Sequence, residues 1–517
     1  MNRESRVTIG DLAETIRGVT YEKAEARNSP REGYSPLIRA TNIDKGALVL
    51  DSLVYVPDRV IRDDQRLRVG DIVLAASSGS LSVVGKAALL RSEWPGTFGA
   101  FCYAVRPQQE RVVPDYLAYF MRTSTYRSRV SHLAAGVNIN NLRREHIESL
   151  ELPYCSLAEQ RRIVEAIDSY LTRLDEAVAS LERVQAKLKA YRASVLKAAV
   201  EGRLVPTEAS FARAEKRDYE PAEVLIARAL KERRRRWEEA ELTKFKAAGQ
   251  TPRDDKWKAR YEEPMAPDTR TLPELPEGWC WASVDQLGLV SGGLTQNAKR
   301  EKHKTKLPFL RVANVYANAL LLDEIKMIGV EPSEIERARL STGDLLVVEG
   351  NGSVDQIGRV ALWDGSIEPM LHQNHLIKVR CEPRQLSKWV LAWLLSPAGR
   401  AAIERVASST SGLHTLSISK VGRLVVPLPP LSEQTRAFDE IDAKLSLVEA
   451  VVDSVLRDLR KCSRLRQAVL KWAFEGKLVN QDPNDEPAER LLARIRAERA
   501  ALGLTKKNPG RQARGAA

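Results

Sequence analysis

Apolar residues recur at every seventh position in two long stretches of this chain. In the first, Ile167, Leu174, Leu181, Leu188 and Val195 form one column, and Ile163, Tyr170, Ala177, Val184, Tyr191 and Ala198 form a companion column. The second stretch keeps the first column as Ile441, Val448, Val455, Cys462 and Val469. Its companion column contains Lys444 and Asp458, so Leu445, Val452 and Leu459 are expected to widen the stripe on the other side. Sustained heptad spacing predicts two long helices with a coiled-coil seam. Ser156 and Glu159 stand as a capping box before the first helix, and Ser432 lies near the start of the second. Gly202 and Gly476 are expected to end them as left-handed caps. About 43 residues at roughly 1.5 Å each make a rod near 65 Å.

The two stretches are copies of one another. Residues 150–205 and 424–479 align without a gap, with 22 of 56 positions identical, too many for two unrelated core helices. Leu-Ala-Glu-Gln-Arg-Arg at 157–162 matches Leu-Ser-Glu-Gln-Thr-Arg at 431–436, and Glu201-Gly202-Arg203-Leu204-Val205 matches Glu475-Gly476-Lys477-Leu478-Val479. A helix of this length cannot bury its apolar stripe alone. Its equal in the same chain is the nearest partner, so 156–200 is expected to pack against 430–474.

The segments before the rods, 1–149 and about 279–423, read as irregular, β-rich units that resemble each other weakly. Pro36 to Ile43 parallels Pro308 to Val315, Gly70-Asp71-Ile72 parallels Gly343-Asp344-Leu345, and Gly85-Lys86-Ala87 parallels Gly358-Arg359-Val360. Asp115 to Val130 and Ser387 to Ile403 read as amphipathic helices, and Ile147 to Leu152 and Val421 to Val426 as closing strands. A shared skeleton with divergent loops suggests one scaffold aimed at two targets. Between the halves, 206–278 carries Lys231-Glu232-Arg233-Arg234-Arg235-Arg236-Trp237 on a charged helix, then a Pro-rich stretch. The arginine run reads equally well as a solvated face or as a phosphate or partner contact.

Composition narrows the class of function. The 517 residues carry a net charge of +13, which makes a polyanion the first partner to consider. Aromatic residues are 6%, against a protein built on base-stacking platforms. Five scattered cysteines form no Cys-x-x-Cys pair, so neither a disulfide framework nor a cysteine zinc site is expected. The polar start and the lack of a long apolar run lead us to expect a soluble, cytoplasmic protein without a membrane span. Motifs for chemistry fail on inspection. Gly79 to Ala87 has the wrong spacing for a phosphate loop and lacks the hydroxyl that holds magnesium. Gly350-Asn351-Gly352 lacks a dinucleotide context, and Asp323-Glu324-Ile325-Lys326 lacks the upstream acid of a nuclease site. His372 and His375 have no further ligands, and a hydrogen-bonding role fits them better than a metal. We expect no catalytic and no metal residues.

Two variable units, each followed by Leu-x-Glu-Gln and a long helix closing on Glu-Gly-(Arg/Lys)-Leu-Val, resemble the specificity subunit of type I restriction–modification enzymes over nearly the whole chain. The resemblance implies an α+β fold: two mixed β-rich target recognition domains joined by two long helices that form an intramolecular antiparallel coiled coil. The expected boundaries are 1–152 for the first recognition domain, 153–205 for the first long helix, and 206–278 for the charged helix and Pro-rich linker. The second recognition domain then spans 279–426, the second long helix 427–479, and a C-terminal helix with a basic tail 480–517. It further implies a non-catalytic subunit that binds a bipartite, asymmetric site on double-stranded DNA, one domain per half-site, with the coiled coil setting the spacer. Two methyltransferase subunits and restriction/translocase subunits would be its partners. S-adenosylmethionine, ATP and magnesium would belong to them, with no cofactor in this chain.

Candidate DNA-binding residues are polar or basic positions in the loops that differ: Arg39, Asn42, Ser77, Ser78, Lys86, Asn138, Asn140 and Arg143 in the first unit. In the second they are Lys299, Arg300, Lys302, Arg311, Asn314, Asn351, Arg359, Gln373 and His414. Asn42 and Asn314 share one scaffold position and read more naturally as turn residues. Glu159, Gln160, Glu433 and Gln434 are expected to serve the start of each rod and partner docking. The competing readings are a self-contained DNA methyltransferase or nuclease with an unrecognised site, and a coiled-coil adaptor without nucleic acid.

Overall fold

A computed structural model of the protein describes residues 5–135, 140–252, 254–351, 356–410 and 413–501. The chain forms two compact units, one of Met1–Arg183 with Val455–Ala517, the other of Val184–Ser454. The helices that position the site are α1 (Pro114–Phe120), α2 (Ser124–Ala134), α3 (Leu157–Val200), α4 (Ala222–Ala247), α5 (Leu386–Leu395), α6 (Pro397–Val406), α7 (Leu431–Phe474) and α8 (Ala488–Ala501).

In the first unit, strands β1 (Ala13–Arg17), β2 (Ile72–Ala75), β3 (Ala87–Leu89) and β4 (Cys102–Pro107) form an antiparallel sheet in the order β1-β4-β2-β3. The central β2 is buried along its whole length, so its alternate side chains feed two cores. Ile72 and Leu74 join α1, α2, Ile163 and Ile167 of α3, and Val469 of α7, while Val73 and Ala75 face Ile38, Phe98 and Ala104. A smaller sheet places Tyr34–Ile38 between Val54–Pro57, antiparallel, and Thr97–Phe98, parallel. Arg6–Thr8 pairs with Glu151–Pro153 just before α3.

The second unit repeats this plan. Strands β5 (Gly288–Gly292), β6 (Leu345–Val348), β7 (Val360–Leu362) and β8 (Leu376–Cys381) lie in the order β5-β8-β6-β7. Lys306–Leu310 lies between Lys326–Gly329 and Leu371–His372, and Cys280–Ser283 pairs with Val425–Leu428 before α7. Matched buried ion pairs brace the two large sheets. Arg106 donates two 2.8 Å hydrogen bonds to Asp71, and Arg380 donates bonds of 2.8 and 2.6 Å to Asp344.

Each expected amphipathic helix is two helices. Asp115 to Val130 breaks at Thr123, whose hydroxyl accepts from the Tyr126 amide and starts α2 afresh. Ser387 to Ile403 breaks at Ser396, which accepts from the Gly399 amide with Pro397 in the first turn of α6. The closing strands are also shorter than the sequence suggests, because Ile147 and Val421 sit on short helical turns.

The long helices pack antiparallel. Within the first unit Ile163, Ile167 and Leu171 of α3 share a core with Val469, Leu470 and Ala473 of α7. Within the second, Val195, Leu196 and Ala199 of α3 meet Ile441 and Leu445 of α7. The early half of each helix therefore meets the late half of the other. The first heptad column is buried or half-buried throughout both helices. The companion column of α3 is a correction: Tyr170, Val184 and Tyr191 are exposed, and Leu171 and Val178 complete the stripe instead. Both choices alternate steps of three and four residues, so only the partner helix decides between them.

The caps are Schellman motifs. Gly202 (φ +67°) donates to the Ala199 carbonyl while Arg203 donates to Ala198, and Gly476 (φ +71°) and Lys477 do the same to Ala473 and Trp472. Ser156 caps α3, its hydroxyl accepting from the Glu159 amide at 3.0 Å. The second start differs from expectation: α7 begins at Leu431 directly after Pro430, and Ser432 lies inside it.

Candidate nucleic-acid interface

Several candidate residues prove to be scaffold. The Asn42 carboxamide accepts from the Arg39 amide at 3.0 Å and donates to the carbonyls of Val49 and Asp51. Asn314 does the same with Arg311, Leu321 and Glu324. Both are buried, with every amide group spent inside the fold, so neither is available to a base edge. Arg39 and Arg311 hold the same turn by donating to Ser52 and Glu324 carbonyls. Arg300 is likewise committed, gripping Glu334 with bonds of 2.8 and 2.7 Å. That grip holds the Glu334 carboxyl down to about 2.

Other candidates, far apart in sequence, are brought together. The two-residue strand Ser77–Ser78 pairs antiparallel with Asn140–Asn141, opposing Asn140 to Ser78. The Asn140 carboxamide donates to the Ser78 and Gly79 carbonyls, and the Ser77 hydroxyl donates to Asn141. Arg127 ties down the adjoining loop through the carbonyls of Ser82 (2.9 Å) and Val84 (2.7 Å), and Lys86 stands at its end. The second unit builds the same feature: Gly350–Asn351 pairs with Leu413–Thr415, opposing Asn351 to His414. The equivalent of Lys86, Arg359, lies 5.0 Å from the centroid of the Tyr316 ring and donates to the Val312 carbonyl. Arg143, Lys299 and Lys302 are exposed, and Gln373 is half-buried on the backbone path beside Leu294. Asn138 lies outside the described residues.

The rejected chemical motifs have structural explanations. Gly85 (φ +75°) is required because a Cβ there would lie 2.2 Å from a Val130 methyl carbon. His372 is buried against the Ala338 carbonyl at 2.8 Å, and burial pushes its imidazole down to about 4. His375 is exposed and pairs with Glu349, so the two rings serve different environments. Among the described residues, no group of His, Cys, Asp or Glu is arranged to hold a metal ion.

The arginine run on α4 is exposed but ion-paired. Arg234 pairs with Glu238 and Glu263, Arg235 with Glu232 and Glu239, and Arg236 with Glu232 and Glu382. Arg233 donates to the Asp285 carbonyl, and Trp237 stacks on Trp257 with centroids 5.9 Å apart. These contacts favour the reading as a solvated face whose charges are paired with neighbouring carboxylates.

The repeated Glu-Gln dipeptides anchor the two rods. Gln160 donates to the Cys155 carbonyl and accepts from the Val113 amide, and Gln434 donates to the Pro429 carbonyl. Glu433 accepts from the Trp279 indole at 3.0 Å and from the Glu208 amide at 2.8 Å. Burial still pushes the Glu433 carboxyl upward. Arg162 grips Asp485, and its counterpart Arg436 grips Glu208, so each rod's first turn secures the segment that follows the other rod. All four Glu-Gln side chains are buried, and they serve the rods' first turns from inside.

Among the described residues no helix is long and apolar enough to cross a membrane. The family model of the type I restriction modification DNA specificity domain matches residues 4–188. The chain is 30% identical over 508 residues to the type I restriction enzyme EcoKI specificity subunit of Escherichia coli K12, covering 96% of this chain and 95% of that one. Against the StySPI specificity subunit of Salmonella potsdam it is 29% identical over 507 residues, with the same coverage. A solved chain from work on complex assembly and conformational transition of the type I R-M system superposes with a TM-score of 0.61 over 92% of this chain and 98% of that chain. Its identity is 16%, a likeness of fold. With one scaffold built twice and 30% identity sustained along almost the full length of a relative, this chain belongs to the family of type I restriction enzyme specificity subunits.

Proposed function

We propose that the protein is the DNA sequence-recognition subunit of a type I restriction–modification complex. Each β-rich domain reads one half of a bipartite site, and the paired helices hold the two readers apart. The observation that carries this reading is the doubled scaffold: matching orders in the two main sheets and matching turns, but different residues where Ser77, Ser78 and Asn140 converge in one domain and Asn351 and His414 in the other. Unlike readers on like frames favour an asymmetric site, as a pseudo-symmetric dimer of different halves would. The uninterrupted 44-residue α3 and α7 suit a fixed spacer. Lys and Arg contacts to phosphates supply most of the affinity, and a few polar side chains supply the selectivity.

The chain itself is non-catalytic in this reading and works in the cytoplasm with two methyltransferase subunits and with restriction/translocase subunits. S-adenosylmethionine, ATP and magnesium act in those partners. A target adenine must leave the base stack to be methylated, which is a task for the methyltransferase pocket. Exchanging residues 1–149 for the corresponding domain of another family member tests the modular part. The expected result is a change in one half-site with the other half and the spacer retained; a change in both halves rejects it.

A further inference from the structure

The first unit contains a basic cleft. It has a volume of about 700 Å³ and lies between the loop around Lys86, the start of α2, and the facing walls of α3 and α7. Arg122 reaches into it half-buried, 5.3 Å from the centroid of the Tyr119 ring. Among the described residues, no ion pair or hydrogen bond engages its guanidinium. Lys45, Lys86, Arg127 and Arg466 line the same cleft against two acidic residues, Asp44 and Asp175, of which Asp175 is already taken by Arg466. Burial, and repulsion from Arg466 and Arg91, disfavour the charge on Arg122, although Tyr119 and Asp175 partly offset them. An unpaired, partly desolvated cation among other cations is costly unless an anion joins it.

Two equivalent positions in the second unit are occupied differently. Arg127 and Arg400 make equivalent bonds, to the carbonyls of Val84 and Ile357 at 2.7 Å each, which fixes the alignment of α2 with α6. That alignment puts Leu395 where Arg122 stands, and Leu395 packs on apolar core. The counterpart of Lys86, Arg359, is held by Tyr316 and Val312. Arg122 is therefore a cation where the second unit has a core-packed leucine.

The cleft is also continuous with the candidate reading loop. Arg127, on its wall, fixes Ser82 and Val84, and the loop that they belong to runs from the Ser77–Ser78 strand to Lys86. We propose that Arg122, with Lys86 and Arg466, clamps a backbone phosphodiester of the DNA duplex whose bases face the Ser77, Ser78 and Asn140 cluster. A charged side chain of a protein partner would satisfy the same cations, but continuity with the reading loop favours DNA. The inference rests on the DNA-recognition reading above.

The test is binding of the full-length chain to a labelled random-sequence duplex across a salt series, with Arg122→Gln, Lys86→Gln and the charge-conserving Arg122→Lys. Losing one phosphate contact lowers the slope of log affinity against log salt by about 1, equivalent to about eightfold weaker binding at 0.1 M. Arg122→Gln and Lys86→Gln should each show that loss with a melting temperature at or above wild type, while Arg122→Lys keeps the wild-type slope. Wild-type binding with an unchanged slope in both Gln variants overturns the clamp and leaves DNA recognition standing; that is also the outcome expected if the cleft holds an acidic protein group. Failure of the wild type to bind duplex at low salt overturns both readings.

Discussion

Asp175 on α3 accepts a hydrogen bond from Arg466 on α7, and seventeen residues further along α3, Arg192 lies 3.7 Å from Glu449, seventeen residues back along α7. The internal repeat makes these pairs equivalent: Asp175 corresponds to Glu449, and Arg192 to Arg466. Equal steps in opposite directions are what an antiparallel register between two copies of one helix produces. All four side chains are roughly a third to two-thirds exposed, so each pair contributes less than about 1 kcal/mol. They mark the register more than they hold it. Asp175→Arg should lower the melting temperature slightly, and adding Arg466→Asp should restore it; a double variant less stable than the single one would contradict this pairing.

The seam itself carries the stability. Ile441→Ala removes a buried side chain from the core shared with Val195 and Leu196, and should cost about 2–5 kcal/mol. Tyr170→Ala, on the column that faces outward, should stay within about 0.5 kcal/mol of wild type. Chemical denaturation of the full chain compares them, and equal losses would return Tyr170 to the seam.

That contrast shows where the sequence was legible and where it was not. The heptad column through Ile167 and Ile441, the glycine caps and the doubled scaffold could all be read, because each is a local pattern repeated at a fixed offset. The companion column could not be assigned, because Leu171 and Tyr170 satisfy the heptad equally until a partner helix is present. Arg300 read as a candidate for DNA because its partner Glu334 lies 34 residues away, on the short helix Pro332–Ala338. Arg122 escaped notice for the converse reason. A lone arginine before a serine-rich helix start carries no motif, and its significance lies in lacking the partners that other arginines have.

Glu433 gives a pH-dependent prediction. Burial raises its carboxyl above the ordinary carboxylate range, so the folded chain favours the protonated form. The resulting penalty is absent below the ordinary carboxylate value and grows as pH rises through the raised one. Glu433→Gln removes the charge and keeps one carbonyl oxygen, enough for the Trp279 indole or the Glu208 amide but not both, a loss that is the same at every pH. Its stability relative to wild type should therefore increase from about pH 4 to neutrality, as read by thermal melting at both ends. A variant that loses ground as pH rises would contradict the stated cause.

The charged helix α4 provides a contrast to the cleft. Arg235 and Arg236 are paired with Glu232, Glu239 and Glu382, so their charges are already answered within the fold. Arg235→Gln with Arg236→Gln should leave the salt dependence of duplex binding unchanged, where Arg122→Gln reduces it. A slope lowered by about 2 in the double variant would instead make α4 a phosphate-contacting surface.

The central claim is that two unlike readers on one repeated frame recognise a split site. Modified-base sequencing of DNA from cells expressing this chain with its methyltransferase partner tests it most directly. The account predicts methylation within one asymmetric motif made of two different half-sites separated by a spacer of constant length. A contiguous or palindromic motif, or half-sites methylated at variable separation, would contradict it.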